Sequence, residues 1–343
     1  MSTVSESVAA GRLVIRAPNW LGDAVMALPA LAAVRAALPD TRIAIAAIAG
    51  VAPIFDEETT GGADEVITIS DRRREVQQLA AGQFDAALLL TNSFRSALTA
   101  RRSGIPERWG FRANFRGPLL TRAVARPRGR VHQSEYYSAL VRGLGFAAPE
   151  SLPRITVREA SAQRAEALLL KHGITPATRI VGFAPGAAYG HAKRWPPSRV
   201  AQVITRITRE RNASCVLVGA GGDREAGREI ESALQHSVAV VNLIGRTDLG
   251  QLAGVLRRCS AFVSNDSGAM HLAAAIGVPV TALFGPTDER ATSPLGDHDV
   301  LVQPVFCRPC MLRDCPIDHR CMRRISADTV FNAVSARLEA GPG

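Results

Sequence analysis

Short apolar runs alternate with longer amphipathic stretches through most of the chain. Arg12–Arg16 (RLVIR) predicts a strand and Ala17–Asp23 a loop. From Ala24 to Leu38 the apolar residues Val25, Leu28, Leu31, Ala32, Val34 and Leu38 recur at helical spacing. Further strands are predicted at Ile43–Ile48, around Val66–Ile69 and at Ala86–Leu90, with helical segments between them. These strands are short and continuously apolar. That is the pattern of a parallel sheet covered on both faces.

The same order returns in the second half. Strands at Arg179–Ala184, Cys215–Gly219, Val238–Asn242, Ala261–Ser264 and Pro279–Phe284 alternate with helices at Ser198–Arg211, Arg224–Leu234, Leu249–Arg257 and Gly268–Ile276. A last helix is predicted at Ala327–Leu338, with Ser326 placed to cap it. Residues 146–177 carry Pro149, Pro153 and Pro176 and read as the boundary. The expected architecture is α/β, with two Rossmann-like doubly wound domains facing across a cleft. The first covers 1–160, the second 176–325, and 326–343 form a C-terminal helix and tail. A length of 343 residues with 47% hydrophobic content suits two separate cores. Tandem doubly wound domains are expected to bind a ligand in that cleft, at the carboxyl ends of the strands.

Charge adds a preference for anions. The formal net charge is +10, and ten arginines lie between Arg95 and Arg130 with Glu107 as the only acid. Arginine suits bidentate contact with phosphate or carboxylate. A solvated surface without a dedicated partner explains the same pattern, because charge patterning alone identifies no ligand. The N-terminus shows no basic segment followed by an apolar one, so no secretory signal is expected. Ser267–Gly285 is uncharged and nearly long enough to span a membrane. Gly277 and Pro279 break it into a helix, a turn and a strand, and it reads as soluble core.

Several loops carry candidate chemistry. Asn265-Asp266-Ser267-Gly268-Ala269-Met270-His271 follows a strand and opens a helix, where free backbone N–H groups make a seat for an anion such as a diphosphate. Asp266 or Ser267 capping that helix is the plainer explanation. Pro185–Trp195 (PGAAYGHAKRW) is a second glycine-containing loop after a strand. Its Lys193 is either a surface lysine or a point charge for a departing phosphate. Asp23, at the end of the first loop, is either an N-cap or a carboxylate able to take a proton from a hydroxyl. His191 and His271 show no partner in the sequence, and core packing explains His271 equally well. VLVGAGGDRE from Val216 resembles a dinucleotide fingerprint, but Arg224 stands where its third glycine belongs, which argues against an oxidoreductase. Cys215 and Cys259 read as core thiols. Cys307, Cys310, Cys315 and Cys321, with His319 among them, fit a structural zinc site only in part, so no metal is expected.

Taken together, Ala17-Pro18-Asn19-Trp20-Leu21-Gly22-Asp23, Phe183-Ala184-Pro185-Gly186-Ala187, Lys193-Arg194-Trp195-Pro196, Asn265-Asp266-Ser267-Gly268 with His271, and Phe284-Gly285-Pro286-Thr287-Asp288 resemble the heptosyltransferase family of GT-B glycosyltransferases. The resemblance runs in order through nearly the whole chain. The form of the first loop and the cysteine-rich tail look most like the branch that adds the second heptose of the lipopolysaccharide core. The resemblance implies an ADP-heptose donor bound by the second domain through Gly186, Ala187, Lys193, Asp266, Ser267, Gly268 and His271. It implies an acceptor, the first heptose on anionic Kdo-lipid A, held by the first domain. Asn92, Ser93 and Arg95 are placed there by loop position alone. Asp23 would be the general base of an inverting transfer, and Lys193 would stabilise the departing ADP. Asp266 would bind heptose hydroxyls. Lysine and backbone amides would then supply the positive charge with neither metal nor cofactor. Asp223, Glu225, Thr247 and Asp248 are candidates for adenine and ribose contacts.

A cytoplasmic enzyme making peripheral, electrostatic contact with the inner membrane face, rather than inserting into it, is the expectation. Three rival readings remain. One is the branch that adds the first heptose. Another is a GT-B epimerase, which has no use for an extended arginine surface. The third is a nucleic-acid-binding protein, disfavoured by 5% aromatics and the lack of a recognition motif.

Overall fold

The first half of the chain folds as β1 (Arg12–Arg16), α1 (Leu21–Met26), α2 (Leu28–Ala37), β2 (Arg42–Ile48), β3 (Glu58–Thr59), β4 (Glu65–Ile69), α3 (Glu75–Ala81), β5 (Ala86–Leu89), α4 (Phe94–Arg102), β6 (Glu107–Phe111), β7 (Arg122–Val124), α5 (Gln133–Gly143) and β8 (Ile155–Thr156). The structure, a computed structural model, describes residues 11–71, 73–234 and 238–340. Six strands form one parallel sheet in the order β4-β2-β1-β5-β6-β7. The direction of winding reverses between β1 and β5, so the loops after these two strands diverge and leave a crevice at their carboxyl ends. The short pair β3–β8 is antiparallel.

The second half folds as α6 (Glu159–Lys171), β9 (Ile180–Ala184), α7 (Pro197–Arg211), β10 (Ser214–Leu217), α8 (Arg224–Leu234), β11 (Val240–Asn242), α9 (Leu249–Arg257), β12 (Cys259–Asn265), α10 (Gly268–Ile276), β13 (Val280–Phe284), α11 (Glu289–Thr292), β14 (His298–Val302), α12 (Arg320–Arg323) and α13 (Ala327–Ala340). Its sheet is also all parallel, in the order β11-β10-β9-β12-β13-β14. The switch point lies between β9 and β12. Val181, Phe183, Val263 and Leu283 from the strands pack with Trp195 and with Val203, Ile204 and Ile207 of α7. Full burial of an aliphatic side chain of this kind stabilises by about 1.5–3 kcal/mol. Cys215 and Cys259 lie in this apolar interior, where burial pushes both thiols up to about 12.

The chain divides into two units at Thr156–Val157, inside the proline-bearing segment. Residues up to 160 were expected in the first domain, yet α6 begins at Glu159 and packs on α9 in the second unit. That packing is close: a Cβ on Gly254 would lie 2.7 Å from the Ser161 carbonyl oxygen. The C-terminal helix α13 packs on α7 and on strands β12 and β13. Ser326 does accept a hydrogen bond from Thr329 N, as a cap should.

The single helix expected from Ala24 to Leu38 is two helices meeting at Ala27, and the first begins at Leu21. Pro29 explains the break. It has no N–H to continue the preceding helix, but it fits the first turn of a new one. Strands β6 and β7 were hidden in the sequence by the arginines around them. Arg116 is fully buried beneath these strands. Its guanidinium donates to the carbonyls of Phe111 (2.9 Å) and Thr91 and to Asn92 Oδ1 (3.2 Å). Burial lowers its pKa to about 10. Arg108 donates to the carbonyls of Leu119, Ile105 and Pro106. Arg122 pairs with Glu107. So three of the ten arginines hold the fold together, and the expected basic surface is correspondingly smaller.

Candidate active site

In the second unit, the loops leaving β9 and β12 converge at the switch point. Asn265 ends β12, and its amide donates to the Pro185 carbonyl (2.7 Å) while its Oδ1 accepts from Trp195 N (3.3 Å). One buried side chain thus ties the Pro185–Trp195 loop to the start of α10. The next residue, Asp266, accepts from Lys193 Nζ at 2.6 Å and from the Thr287 hydroxyl at 2.7 Å, both through Oδ2. Lys193 is therefore not a free surface lysine: its side chain is 11% exposed and that of Asp266 is 7%. The ammonium also lies 4.8 Å from the centre of the Tyr189 ring.

Capping does not account for Asp266 and Ser267. Ser267 occupies the N-cap position of α10 without any side-chain cap hydrogen bond. Its hydroxyl pairs with that of Ser264 at 2.9 Å. The first N–H groups of α10 are therefore left to another acceptor, and a helix N-terminus draws a negative one. His271, in the first turn of α10, is buried. Gly186 lies against Asp223: a Cβ at Gly186 would come 2.0 Å from the carboxyl carbon. Asp223 in turn accepts from Ala220 N and faces Arg194 at 3.8 Å. A cavity of about 410 Å³ opens beside these groups, lined among others by His191, Arg194, Trp195, Glu225 and Glu229. Asp248 caps α9 and pairs with Arg164.

In the first unit, Asp23 is not the cap of a helix beginning at Ala24. It lies in the first turn of α1, whose N-cap is Trp20. Its Oδ1 accepts a hydrogen bond from the Tyr137 hydroxyl of α5 at 3.1 Å. Burial first, and the Asp23 charge second, push the Tyr137 phenol well above its ordinary value. It therefore stays a proton donor to this carboxylate. Beneath the loop, Arg16 pairs with Glu75 (2.8 Å) and donates to Asn19 Oδ1 (3.0 Å), which fixes the segment carrying Asp23. Asn92 donates to the Tyr136 hydroxyl (2.9 Å). Ser93 caps α4 by accepting from Ser96 N (3.1 Å), and Arg95 is exposed.

Tyr137 and Thr287 carried no assigned role in the sequence. Tyr137 does share a helical face with Ser134, Leu140 and Val141, all buried, and that periodicity was the available signal. In the tail, Cys321 lies within electrostatic reach of Cys307, Cys310 and Cys315. Among the described residues no three His, Cys, Asp or Glu side chains are placed to hold a metal ion. Among the described residues no helix is long and apolar enough to cross a membrane.

Comparison with known proteins agrees with this geometry. The profile of glycosyltransferase family 9 (heptosyltransferase) matches residues 72–320. Lipopolysaccharide heptosyltransferase 2 of Salmonella typhimurium is 32% identical over 298 residues, covering 83% of this chain and 85% of that protein. Its counterpart in Escherichia coli K12 is 31% identical over 301 residues, with the same coverage. The solved structure of E. coli ADP-heptose lps heptosyltransferase II superposes with a TM-score of 0.83 at 29% identity, covering 96% of this chain and 99% of that one. By its motifs, by these relatives and by its two Rossmann-ordered sheets in the GT-B manner, the chain belongs to glycosyltransferase family 9, the heptosyltransferases.

Proposed function

We propose that the protein transfers L-glycero-D-manno-heptose from ADP-heptose to the first heptose of the Kdo-lipid A inner core, with inversion at the anomeric carbon. The observation that carries this reading is the Lys193–Asp266 pair beside the uncapped start of α10. It sets a cation and free amides where a diphosphate would be seated, and a carboxylate where sugar hydroxyls would be bound. The names of the relatives support heptose as the sugar, ADP as the carrier and lipopolysaccharide as the setting.

In this mechanism an acceptor hydroxyl oxygen bonds to the anomeric carbon as the bond to the diphosphate oxygen breaks. The hydroxyl proton passes to Asp23, which Tyr137 holds in place through its hydrogen bond. The electron pair of the broken bond leaves on the β-phosphate. Lys193 and the N–H groups at Ser267 and Gly268 stabilise the charge that develops there. Gly186 and Ala187 let the backbone approach the donor, and His271 completes the seat. Asn92, Ser93 and Arg95 lie on the loop we assign to the acceptor. The enzyme works in the cytoplasm at the inner membrane face.

ADP release from ADP-heptose tests the assignment, with wild type and Asp23→Ala and with lipid A acceptors carrying one heptose or none. Release that requires the heptose-bearing acceptor and collapses in the variant is expected. Release only with the heptose-free acceptor would reassign the enzyme to addition of the first heptose. Release with neither would remove the function.

A further inference from the structure

Three exposed aromatic side chains sit at the carboxyl ends of three neighbouring strands of the first unit. Trp20 follows β1, Phe94 follows β5 and Phe115 follows β6, and these strands are adjacent in the sheet. Their exposures are 59%, 46% and 96%. Adjacent strand ends lie about 4.8 Å apart, so the three loops leave from one edge.

Phe115 is held out of the protein by construction. Asn114 and Phe115 both have left-handed backbone, with φ of 47° and 59°. Asparagine tolerates that region, but for a bulky aromatic residue it is an outlier. The loop is fastened from below. Arg116 is buried and anchored to Phe111, Thr91 and Asn92, and Asn114 Nδ2 donates to the Asn92 carbonyl at 3.0 Å. An apolar ring fixed in water by strained backbone gains nothing within its own unit. It gains by entering an apolar medium supplied from outside.

The surrounding charge says which medium. Arg95, Arg112, Arg126, Arg128 and Arg130 are exposed, and all follow β5, β6 or β7 at the same edge. Glu107, the only acid in that stretch, lies at the opposite end of β6 and is paired with Arg122. The carboxylates near this edge are already engaged: Asp23 is half-buried and bonded to Tyr137, Glu75 is buried and paired with Arg16, and Glu135, in the helix after β7, is paired with Arg142. Aromatic rings flanked by arginines match the headgroup boundary of an anionic bilayer. There the rings sit among the glycerol and upper acyl segments, and the guanidiniums meet lipid phosphates.

We infer that this edge docks on an anionic lipid bilayer, with Phe115 inserted as the anchor and Trp20 and Phe94 beside it. The inference rests on the proposed reading that the acceptor is a membrane lipid. It goes beyond charge attraction by requiring insertion at named side chains.

Vesicles without any acceptor provide the test, either neutral phosphatidylcholine or the same with about one third phosphatidylglycerol. Trp109 and Trp195 are buried, so Trp20 is the tryptophan whose emission responds to a changed environment. On the anionic vesicles Trp20 emission should shift to the blue and the protein should co-sediment at physiological salt. On neutral vesicles neither should occur. Phe115→Ser should weaken partitioning on the order of tenfold, the scale of one lost aromatic insertion. Phe115→Trp should restore it. Phe306→Ser, which removes an 80% exposed ring from the second unit, should change nothing. Absence of binding by wild type overturns the inference. So does binding that Phe115→Ser leaves intact, or binding that single-stranded DNA competes away without regard to Phe115, since either would reduce the edge to a general polyanion surface. Heptose transfer to a deacylated, water-soluble acceptor reads the proposed function by itself. Failure of that reaction with vesicle binding intact is thus told apart from failure of the docking surface.

Discussion

Lys193 Nζ and Asp266 Oδ2 lie 2.6 Å apart with both side chains nearly buried, at the point where the second sheet reverses its winding. In the proposed mechanism this pair works as the fold presents it, so neither group has to be ordered for the reaction. Lys193→Ala should lower kcat about a hundredfold or more, the usual cost of losing a preorganised charge at a leaving group. Asp266→Ala should also be severe, because it leaves a buried ammonium without its carboxylate. The double variant should fall well short of the product of the two effects, since the residues act as a unit. Steady-state kinetics on the four proteins measure this, and strict additivity would mean the pair is not coupled in catalysis.

Under the proposed mechanism, Tyr137 acts as a positioning residue for Asp23. A hydrogen bond donated to a carboxylate favours its ionised form. Tyr137→Phe should therefore move the acid limb of the kcat/KM profile to higher pH and lower the plateau several-fold. A merely structural tyrosine would lower stability and leave the position of that limb unchanged.

Arg116 is a structural arginine within a basic stretch. Its planar fork reaches the carbonyls of Phe111, at the end of β6, and of Thr91, in the loop after β5, which an ammonium cannot do. Arg116→Lys should destabilise the protein by about 2–4 kcal/mol, from several lost charge-assisted hydrogen bonds in a buried site. Urea unfolding reads this. Arg112→Lys, at an exposed neighbour, should fall within about 0.5 kcal/mol of wild type.

Gly186 owes its identity to Asp223. Its missing Cβ leaves room for the carboxylate, which would otherwise lie 2.0–2.3 Å away. Gly186→Ala should push Asp223 aside, loosen its contacts with Ala220 and Arg194, and raise the donor KM by about tenfold. An unchanged donor KM would detach this loop from the donor site.

Glu107 makes stability pH-dependent. Burial alone would raise its pKa, but hydrogen bonds from Trp109, Thr121 and Arg122 outweigh that and hold it below the ordinary 4.5. The ionised form is thus the one favoured by folding. Its contribution is complete above about pH 4.5 and fades as pH falls below it. Glu107→Gln should cost about 1 kcal/mol at pH 7, below the roughly 1.5–3 kcal/mol of a hydrogen bond to a charged group because the carboxylate is 31% exposed. The difference should shrink on acidification through that range. Unfolding curves at pH 7, 5 and 3.5 check it, and a gap that widened toward acid would refute the assignment.

By itself the sequence determined the α/β class, most strands of both sheets and the loops that carry Asp23, Lys193 and Asp266. Those features are written locally. Continuous apolar runs mark doubly buried strands, and glycine, serine and aspartate mark the turns that follow them. Helix α8 was legible to the residue because its apolar positions repeat without interruption from Arg224 to Leu234.

Tertiary structure decided the rest. No local pattern in ERWGF or RAV announces a strand, since β6 and β7 are held by pairing and by the buried Arg116 rather than by apolar alternation. Whether Lys193 stood free on the surface or was held against a carboxylate, and whether Asp266 was a cap, depended on residues 73 positions apart meeting at a switch point. The Tyr137–Asp23 contact spans 114 residues. Sequence sets which groups are available. Only the closing of the sheets brings distant groups within hydrogen-bonding distance, and that distance separates a capping aspartate from one that holds a lysine in place.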